Sequence, residues 1–386
     1  MGRLRCSLLG PKMLVLLSLT NHKLFLMKPG IFAKKIMTWY AANHRKLPWR
    51  QTTDPYRIWL SEVTLQQTRV NQGLPYYQRF IRRFPTVGTL AAASQGQVLR
   101  CWQGLGYYTR ARNLHACAQE VAYTLGGKFP RTHEGLLALP GIGHYTAAAI
   151  SSIAFNQPVA VVDGNVYRVL SRLFGITADP GSGSGKNLFA NKAAELMAKN
   201  NPGTYNQAIM EFGALQCTPK KPLCGSCLFG NTCFANLHHL QDKLPMKGKK
   251  VKVRKRYLTY FVLIKNRRVA LRKRQQQDIW QGLFDFYAVE TPRPAQPAAL
   301  MKTDGLLRAI ADEILLVEVG KPVKHLLTHQ AITARFVTLY LGGKRGNKDL
   351  WQRHGLQFYT LPQVEQLPKP RMITRFLTES AISLGR

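Results

Sequence analysis

The stretch Leu139 to Val166, LPGIGHYTAAAISSIAFNQPVAVVDGNV, constrains this chain more than any other. Leu139-Pro140-Gly141-Ile142-Gly143 reads as a tight turn whose glycines can take positive φ and bare their backbone N–H groups, and Tyr145 to Phe155 reads as an Ala-rich helix behind it. A turn of that kind fits a phosphate. After Asn156-Gln157-Pro158, the wholly apolar run Val159 to Val162 carries Asp163 out of a packed core onto Gly164-Asn165. A carboxylate mounted this way suits catalysis; the plainer reading is an N-cap for the helix that begins at Asn165, and the two roles are compatible.

A second acid stands out upstream. Glu62 falls in a helix where Ile58, Trp59 and Leu65 are its i−4, i−3 and i+3 neighbours, so it lies on a largely apolar stripe. Burial there would raise its pKa and keep it protonated as a general acid near neutrality, whereas pairing with Arg69 would make it an ordinary surface ion pair. Four of the seven cysteines, Cys217, Cys224, Cys227 and Cys233, are clustered with intervals of six, two and five residues, and Cys6, Cys101 and Cys117 are scattered. Four thiolates with no histidine at ligand spacing suit zinc or an iron–sulfur cluster, and the odd total argues for a reducing compartment rather than a secreted disulfide framework.

Charge narrows the partner. Against 19 acidic residues the chain carries 55 Lys plus Arg, a formal net charge of +36, which points to a polyanion. An anionic membrane is the rival, but no run of 18 or more apolar residues is present to span one, so nucleic acid is preferred and no membrane is expected. Residues 1–30 are an extension of doubtful status: basic residues and the short apolar run Met13 to Leu19 suggest a signal peptide without its small-residue cleavage site, and Met27 is a rival start.

The periodicity predicts helices throughout residues 31–236, among them Gly73 to Arg83, Tyr108 to Leu125, Lys186 to Asn200 and Tyr205 to Leu215, with no sheet before residue 250. MKGKKVKVRKR, Met246 to Arg256, lies in a basic linker taken as residues 237–256. Beyond it, strands are expected at Tyr257 to Ile264, Val269 to Arg272, Val323 to Thr328 and Ile332 to Leu341, with a turn at Gly342-Gly343 and a helix from Asp304 to Leu315, forming a separate domain over 257–386.

The hairpin, the aspartate 20 residues after its second glycine and the four-cysteine cluster resemble the helix-hairpin-helix DNA glycosylases that carry an iron–sulfur cluster. Ser61-Glu62-Val63-Thr64-Leu65-Gln66-Gln67-Thr68 and Gly104-Leu105-Gly106-Tyr107-Tyr108 resemble, within that superfamily, the MutY adenine glycosylases. The resemblance implies an all-α helix-hairpin-helix glycosylase domain with a 4Fe–4S cluster module, followed by an α+β MutT/Nudix-like C-terminal domain. It implies a base excision repair enzyme, cytoplasmic and nucleoid-associated, acting as a monomer on duplex DNA with A:8-oxoguanine or A:G mispairs. Glu62 and Asp163 would be its acid and its oxocarbenium-stabilising anion, with Tyr145 and Asn165 holding the site. Gln66, Gln67, Tyr107, Gly141 and Gly143 would contact DNA, Gln67 and Tyr107 as wedges beside the base opposite. Thr328 and His329 would read the oxidised base, and Cys217, Cys224, Cys227 and Cys233 would hold the cluster.

Two other readings stay open. Endonuclease III-like glycosylase/AP lyases place a nucleophilic lysine two residues after the hairpin's last glycine, where this chain has Tyr145. A non-catalytic DNA-binding iron–sulfur module would use the hairpin and the cysteines without needing Glu62 or Asp163.

Overall fold

The computed structural model describes residues 27–246, 248, 253–275, 277–342 and 348–380. Most of the N-terminal extension, the middle of the basic linker and Gly343 of the expected turn lie outside the described residues. The chain divides into two compact units, Met1–Gln66 with Leu125–Lys249 and Gln67–Thr124 with Lys250–Arg386. The division does not follow chain order, because the helices after Gln66 group with the C-terminal part.

In the first unit, α1 (Pro29–Asn43) buries Phe32, Ile36 and Tyr40, spaced one turn apart. Helix α2 (Pro55–Leu65) opens with Pro55 behind an Asp54 cap that accepts the Tyr56 N–H, and buries every residue from Ile58 to Thr64, Glu62 included. A helix so enclosed can hold an acid away from water. In the second unit come α3 (Val70–Arg83), α4 (Val87–Ala92), α5 (Gln95–Trp102) and α6 (Thr109–Gln119), α6 ending in a π-helical turn. Capping boxes start α4 and α5, built on Thr86 with Thr89 and on Ser94 with Gln97. The helix expected from Gly73 starts three residues earlier, at Val70.

The first unit resumes with α7 (His133–Leu137), α8 (His144–Phe155), α9 (Gly164–Phe174), α10 (Gly183–Glu195), α11 (Pro202–Leu215) and α12 (Phe234–Leu237). Helix α10 starts three residues before the expected Lys186 and stops five before Asn200, and α11 starts at Pro202, capped by Asn201. Their core joins Phe32 and Ile36 to Leu170, Phe189, Phe212 and Phe229. Two glycines let α11 come close to its neighbours: a Cβ at Gly203 would meet the backbone of Ser152 and Ile153 at 3.0 Å, and one at Gly213 would meet the Asn165 Cβ at 2.7 Å. Gly213 thus fixes how near α11 lies to the residues after Asp163.

The C-terminal part of the second unit is a mixed sheet in the order β3-β2-β1-β7-β5, with β4 on β1, β6 on β7 and β8 on β2. Strand β1 (Arg254–Lys265) runs parallel to β7 (Gln330–Leu341) over its full length, and from Thr259 to Lys265 it is buried on both faces, as its unbroken apolar run Tyr260 to Ile264 requires. Strands β2 (Arg268–Lys273), β3 (Phe284–Asp285), β4 (Tyr287–Thr291), β5 (Ile314–Val319), β6 (Val323–Leu326) and β8 (Leu356–Tyr359) complete it. Around it lie α13 (Pro297–Thr303), α14 (Gly305–Ala309), α15 (Lys348–Arg353), α16 (Leu361–Gln366) and α17 (Arg371–Glu379).

The helix expected from Asp304 to Leu315 is shorter in the structure. It stops at Ala309, a 3-10 turn covers Ala311–Glu313, and Ile314 begins β5, because the apolar run ILLVEV pairs antiparallel with β7. Tertiary pairing overrides the local preference.

Candidate active site

Four residues flagged in the sequence meet in the first unit. Glu62 comes from α2, Tyr145 from the first turn of α8, and Asp163 and Asn165 from the N-terminus of α9. The Tyr145 hydroxyl donates to Glu62 Oε2 at 2.5 Å, and lies 3.3 Å from Met210 Sδ on α11. Glu62 is only 7% exposed. Burial pushes its carboxyl up to about 7; the Tyr145 hydrogen bond opposes that shift, the Asp163 charge adds to it, and the Arg50 charge opposes it.

Asp163 is held far more tightly. It caps α9, its Oδ1 accepting the N–H groups of Asn165 at 2.9 Å and Val166 at 2.8 Å, and its Oδ2 accepts the Asn165 amide at 2.7 Å. Burial raises its pKa, and these three donors together with the Arg168 charge work against that rise. Cap and site residue are one side chain. The Asn165 amide is fixed in turn, its Oδ1 accepting from Arg168 Nη2 at 2.8 Å, while Arg168 also donates to the Gly213 and Cys217 carbonyls. The apolar run Val159 to Val162 reaches Asp163 without forming a strand; Asn206 anchors it by accepting from the Val161 N–H at 3.1 Å and donating to the Val159 carbonyl at 2.8 Å.

Sequence reasoning missed the ion network beneath the acid. Glu211 of α11, 1% exposed, accepts from Arg45 and Arg50 and is held at about 2 by them despite its burial. It fixes Arg50 where its charge reaches Glu62. Signals were present in the Pro48-Trp49-Arg50 turn and in one acid within the apolar α11, but nothing local links residues 161 positions apart.

The hairpin joins α7 to α8. Gly141 takes φ +74°, as expected, but Gly143 does not: it sits at φ −97° as the N-cap of α8, in extended backbone open to any residue. What Gly143 provides is a cap with no side-chain hydrogen bond, leaving the first N–H groups of α8 for an outside acceptor. Gln66, the C-cap of α2, donates its amide to Thr146 Oγ1 at 3.2 Å, tying α2 to α8.

The remaining candidates for DNA contact belong to the second unit. Gln67 and Tyr107 are both exposed non-glycine residues with positive φ, 54° and 49°, a conformation costing roughly 1 to 3 kcal/mol each. The Arg110 guanidinium lies over the Tyr107 ring, 5.5 Å from its centre. Arg112, two residues on, is engaged internally, donating to the Gln281 carbonyl at 2.8 Å and to Thr109. Thr328 and His329 form the exposed tip of the β6–β7 hairpin, and Thr328 Oγ1 lies 2.7 Å from the Tyr107 hydroxyl. Two positions 221 residues apart thus share a hydrogen bond.

The cysteines lie on the α11–α12 connection. Phe229, 2% exposed and stacked 5.3 Å from Phe32, pins their loop to the core of the first unit. Burial raises the thiols of Cys217, Cys227 and Cys233, the last to about 11, and each feels the charge of at least one other cysteine. The sulfurs already have N–H neighbours: Arg172 Nη1 lies 3.5 Å from Cys217, the Phe229 N–H 3.4 Å from Cys227, and Gln241 Nε2 4.0 Å from Cys224. Among the described residues no three His, Cys, Asp or Glu side chains are gathered closely enough to hold a single ion. Four thiols with N–H groups beside their sulfurs supply the soft donors that zinc or an iron–sulfur cluster takes.

Residues 60–194 match the HhH-GPD superfamily base excision DNA repair protein family, a span that includes Glu62, Tyr145 and Asp163 but stops short of the cysteines, and residues 259–379 match the NUDIX domain. The adenine DNA glycosylase of Buchnera aphidicola subsp. Baizongia pistaciae is 31% identical over 90% of this chain and 96% of its own length. The chain belongs to the adenine DNA glycosylase family. The rat adenine DNA glycosylase is 44% identical over 55% of this chain, and the human protein 43% identical over 56%. The matches span 43% and 41% of those two proteins, so this chain covers less than half the length of either. A solved structure of a thermostable thymine-DNA glycosylase is similar over 55% of this chain and 97% of its own, with a TM-score of 0.50 and 29% identity. Among the described residues no helix is long and apolar enough to cross a membrane.

Proposed function

We propose that this chain hydrolyses the N-glycosidic bond of adenine in duplex DNA where adenine faces 8-oxoguanine or guanine. The observation that carries the reading is Glu62: an acid enclosed in an apolar helix, oriented by Tyr145, whose carboxyl is pushed to about 7. At neutral pH such a group is substantially protonated. Because Oε2 is occupied as the acceptor for Tyr145, the transferable proton belongs on Oε1, free to be given to a ring nitrogen of the departing adenine. The sugar left behind develops positive charge as its bond to the base stretches, and Asp163 supplies the fixed counter-charge. Donors from Asn165 and Val166 hold that carboxylate without charge reorganisation during reaction. Water then completes hydrolysis, with the glutamate left anionic and able to take up its proton.

The adenine must leave the stack to reach a buried acid, at a cost of a few kcal/mol. Gln67 and Tyr107, exposed and held in strained backbone, suit side chains that enter the duplex in its place. Thr328, hydrogen-bonded to Tyr107, and His329 beside it suit recognition of the base opposite. The uncapped start of α8 offers N–H groups to a backbone phosphate. Cys217, Cys224, Cys227 and Cys233 would hold a 4Fe–4S cluster, whose contribution is to cross-link the loop carrying Lys220 and Lys221, since hydrolysis transfers no electron. The lyase reading lacks its amine nucleophile, as Tyr145 stands in that place and is hydrogen-bonded to Glu62.

The test is single-turnover incubation with duplexes containing A opposite 8-oxoguanine, A opposite guanine and A opposite T. Adenine release from the first two alone supports the reading, and release from none, with DNA still bound, leaves only a binding module. Iron and sulfide should assay at about four atoms each per chain, and one equivalent of zinc in their place would overturn the cluster assignment.

A further inference from the structure

A pocket of about 1050 Å³ lies wholly within the second unit, and none of the candidate site residues named above lines it. It lies where the C-terminal end of α3 and the start of α5 meet β2, β3 and the end of α16. Four cations line it, Arg79, Arg83, Arg100 and Lys273, and no carboxylate does. Among the described residues none of the four is ion-paired; Arg79 donates to the Cys101 carbonyl and lies over the Tyr76 ring. Arg100 Nε is buried with no hydrogen-bond partner. Behind it sits Lys369, 3% exposed, whose ammonium is lowered to about 8 by burial and then by the Arg100 charge, with Glu365 as the one acid acting against this.

Uncompensated cations around a partly buried guanidinium are costly unless an anion joins them. The volume exceeds what one phosphate fills, and the rest of the lining is of a different kind. Gln95 and Gln366 bring amides able to donate and accept, and Phe284, Leu367 and Pro368 bring apolar surface. We propose that this pocket binds a nucleoside phosphate, the cations taking its phosphate groups and the amides and apolar wall taking its base. The nucleotide is either free or a unit of a DNA strand, since both present the same chemistry. The site is separate from the proposed chemistry, and its test reads binding rather than adenine release.

Full-length protein is titrated calorimetrically with dGTP, dAMP and pyrophosphate, beside Lys273→Glu and Arg83→Glu, both exposed positions that leave the core intact, and Arg100→Ala. The expected result is nucleotide binding to the parent protein that weakens about tenfold or more in each variant, the cost of losing a charge-assisted hydrogen bond. Thermal melts identify any variant that fails to fold, and either surface substitution suffices if Arg100→Ala does. Equal binding by parent and Lys273→Glu would overturn the assignment, as would no nucleotide binding, and pyrophosphate binding as tightly as dGTP would remove the nucleoside from it. A short single-stranded oligonucleotide that displaces bound dGTP assigns the site to strand nucleotides; dGTP that stays bound assigns it to the free nucleotide.

Discussion

The acid pair of the first unit and the Tyr107–Thr328 pair of the second are built on opposite principles. Glu62 is buried and Asp163 half-buried, each hydrogen-bonded within the protein, with Arg50, Arg168 and Glu211 fixing the charges around them. Tyr107 and Thr328 are exposed and share one hydrogen bond, and Tyr107 is held in a backbone conformation that favours glycine. Burial is what moves a carboxyl from its ordinary range to about 7, so a general acid for neutral pH must be enclosed. Reading a base demands the reverse, side chains that water or DNA can reach.

The sharpest way to break the contrast is Glu62→Gln, which keeps shape and removes the proton. Adenine release in single turnover should fall by roughly 10³-fold or more while duplex affinity is kept; substantial residual cleavage would give the acid role to another group. The same variant tests the cost of burial. Because the folded pKa lies above the unfolded one, Glu62 is best accommodated below pH 4.5 and destabilises the fold progressively as pH rises toward 7. Glu62→Gln should therefore melt higher than the parent at pH 8, by up to about 3 kcal/mol, and the gap should close near pH 4.

Asp163→Asn comes next, with release slowed by about 10² to 10³-fold, or roughly 3 to 4 kcal/mol. Asparagine caps helices as well as aspartate does, so the melting temperature should barely move; a large drop would mean that the cap and not the charge is the main role. Tyr145→Phe has a smaller effect with a distinctive sign. The lost hydrogen bond favours the charged carboxylate, so its removal raises the Glu62 pKa further, and the alkaline limb of the pH–rate profile should move to higher pH. A limb that stays in place would show that Glu62 is not the titrating acid.

The smallest effects belong to the exposed pair. Tyr107→Phe and Thr328→Ala each remove one hydrogen bond worth about 1 kcal/mol, so adenine release opposite 8-oxoguanine should slow about fivefold with release opposite guanine unchanged. The double variant should cost no more than the worse single one. Additive losses would mean that the two side chains act separately.

Much of the acid site was legible because its signals are local. Gly141 announces its positive φ, Asp163 before Gly164-Asn165 announces both a cap and a constrained turn, and the apolar neighbours of Glu62 within one turn foretell its burial. The exposed pair was named only through resemblance, since a tyrosine and a threonine carry no pattern of their own. Gly143 was misread because a glycine permits positive φ without requiring it. The strand at Ile314 was missed because its partner lies in β7, and an apolar run alone does not distinguish helix from strand.

By itself, then, the sequence determined the helical and sheet-forming halves, the cationic character, and the identity of the acids and thiols, all of which depend on composition and short-range spacing. Only the tertiary structure decided which groups meet. The Tyr145 hydrogen bond that orients Glu62, the Glu211 carboxylate that fixes Arg50, and the grouping of residues 67–124 with the C-terminal part all join positions scores of residues apart. A pKa is set by what surrounds a group in space, and for Glu62 that surrounding comes from α8, α9 and the turn before α2, which the chain brings together only on folding.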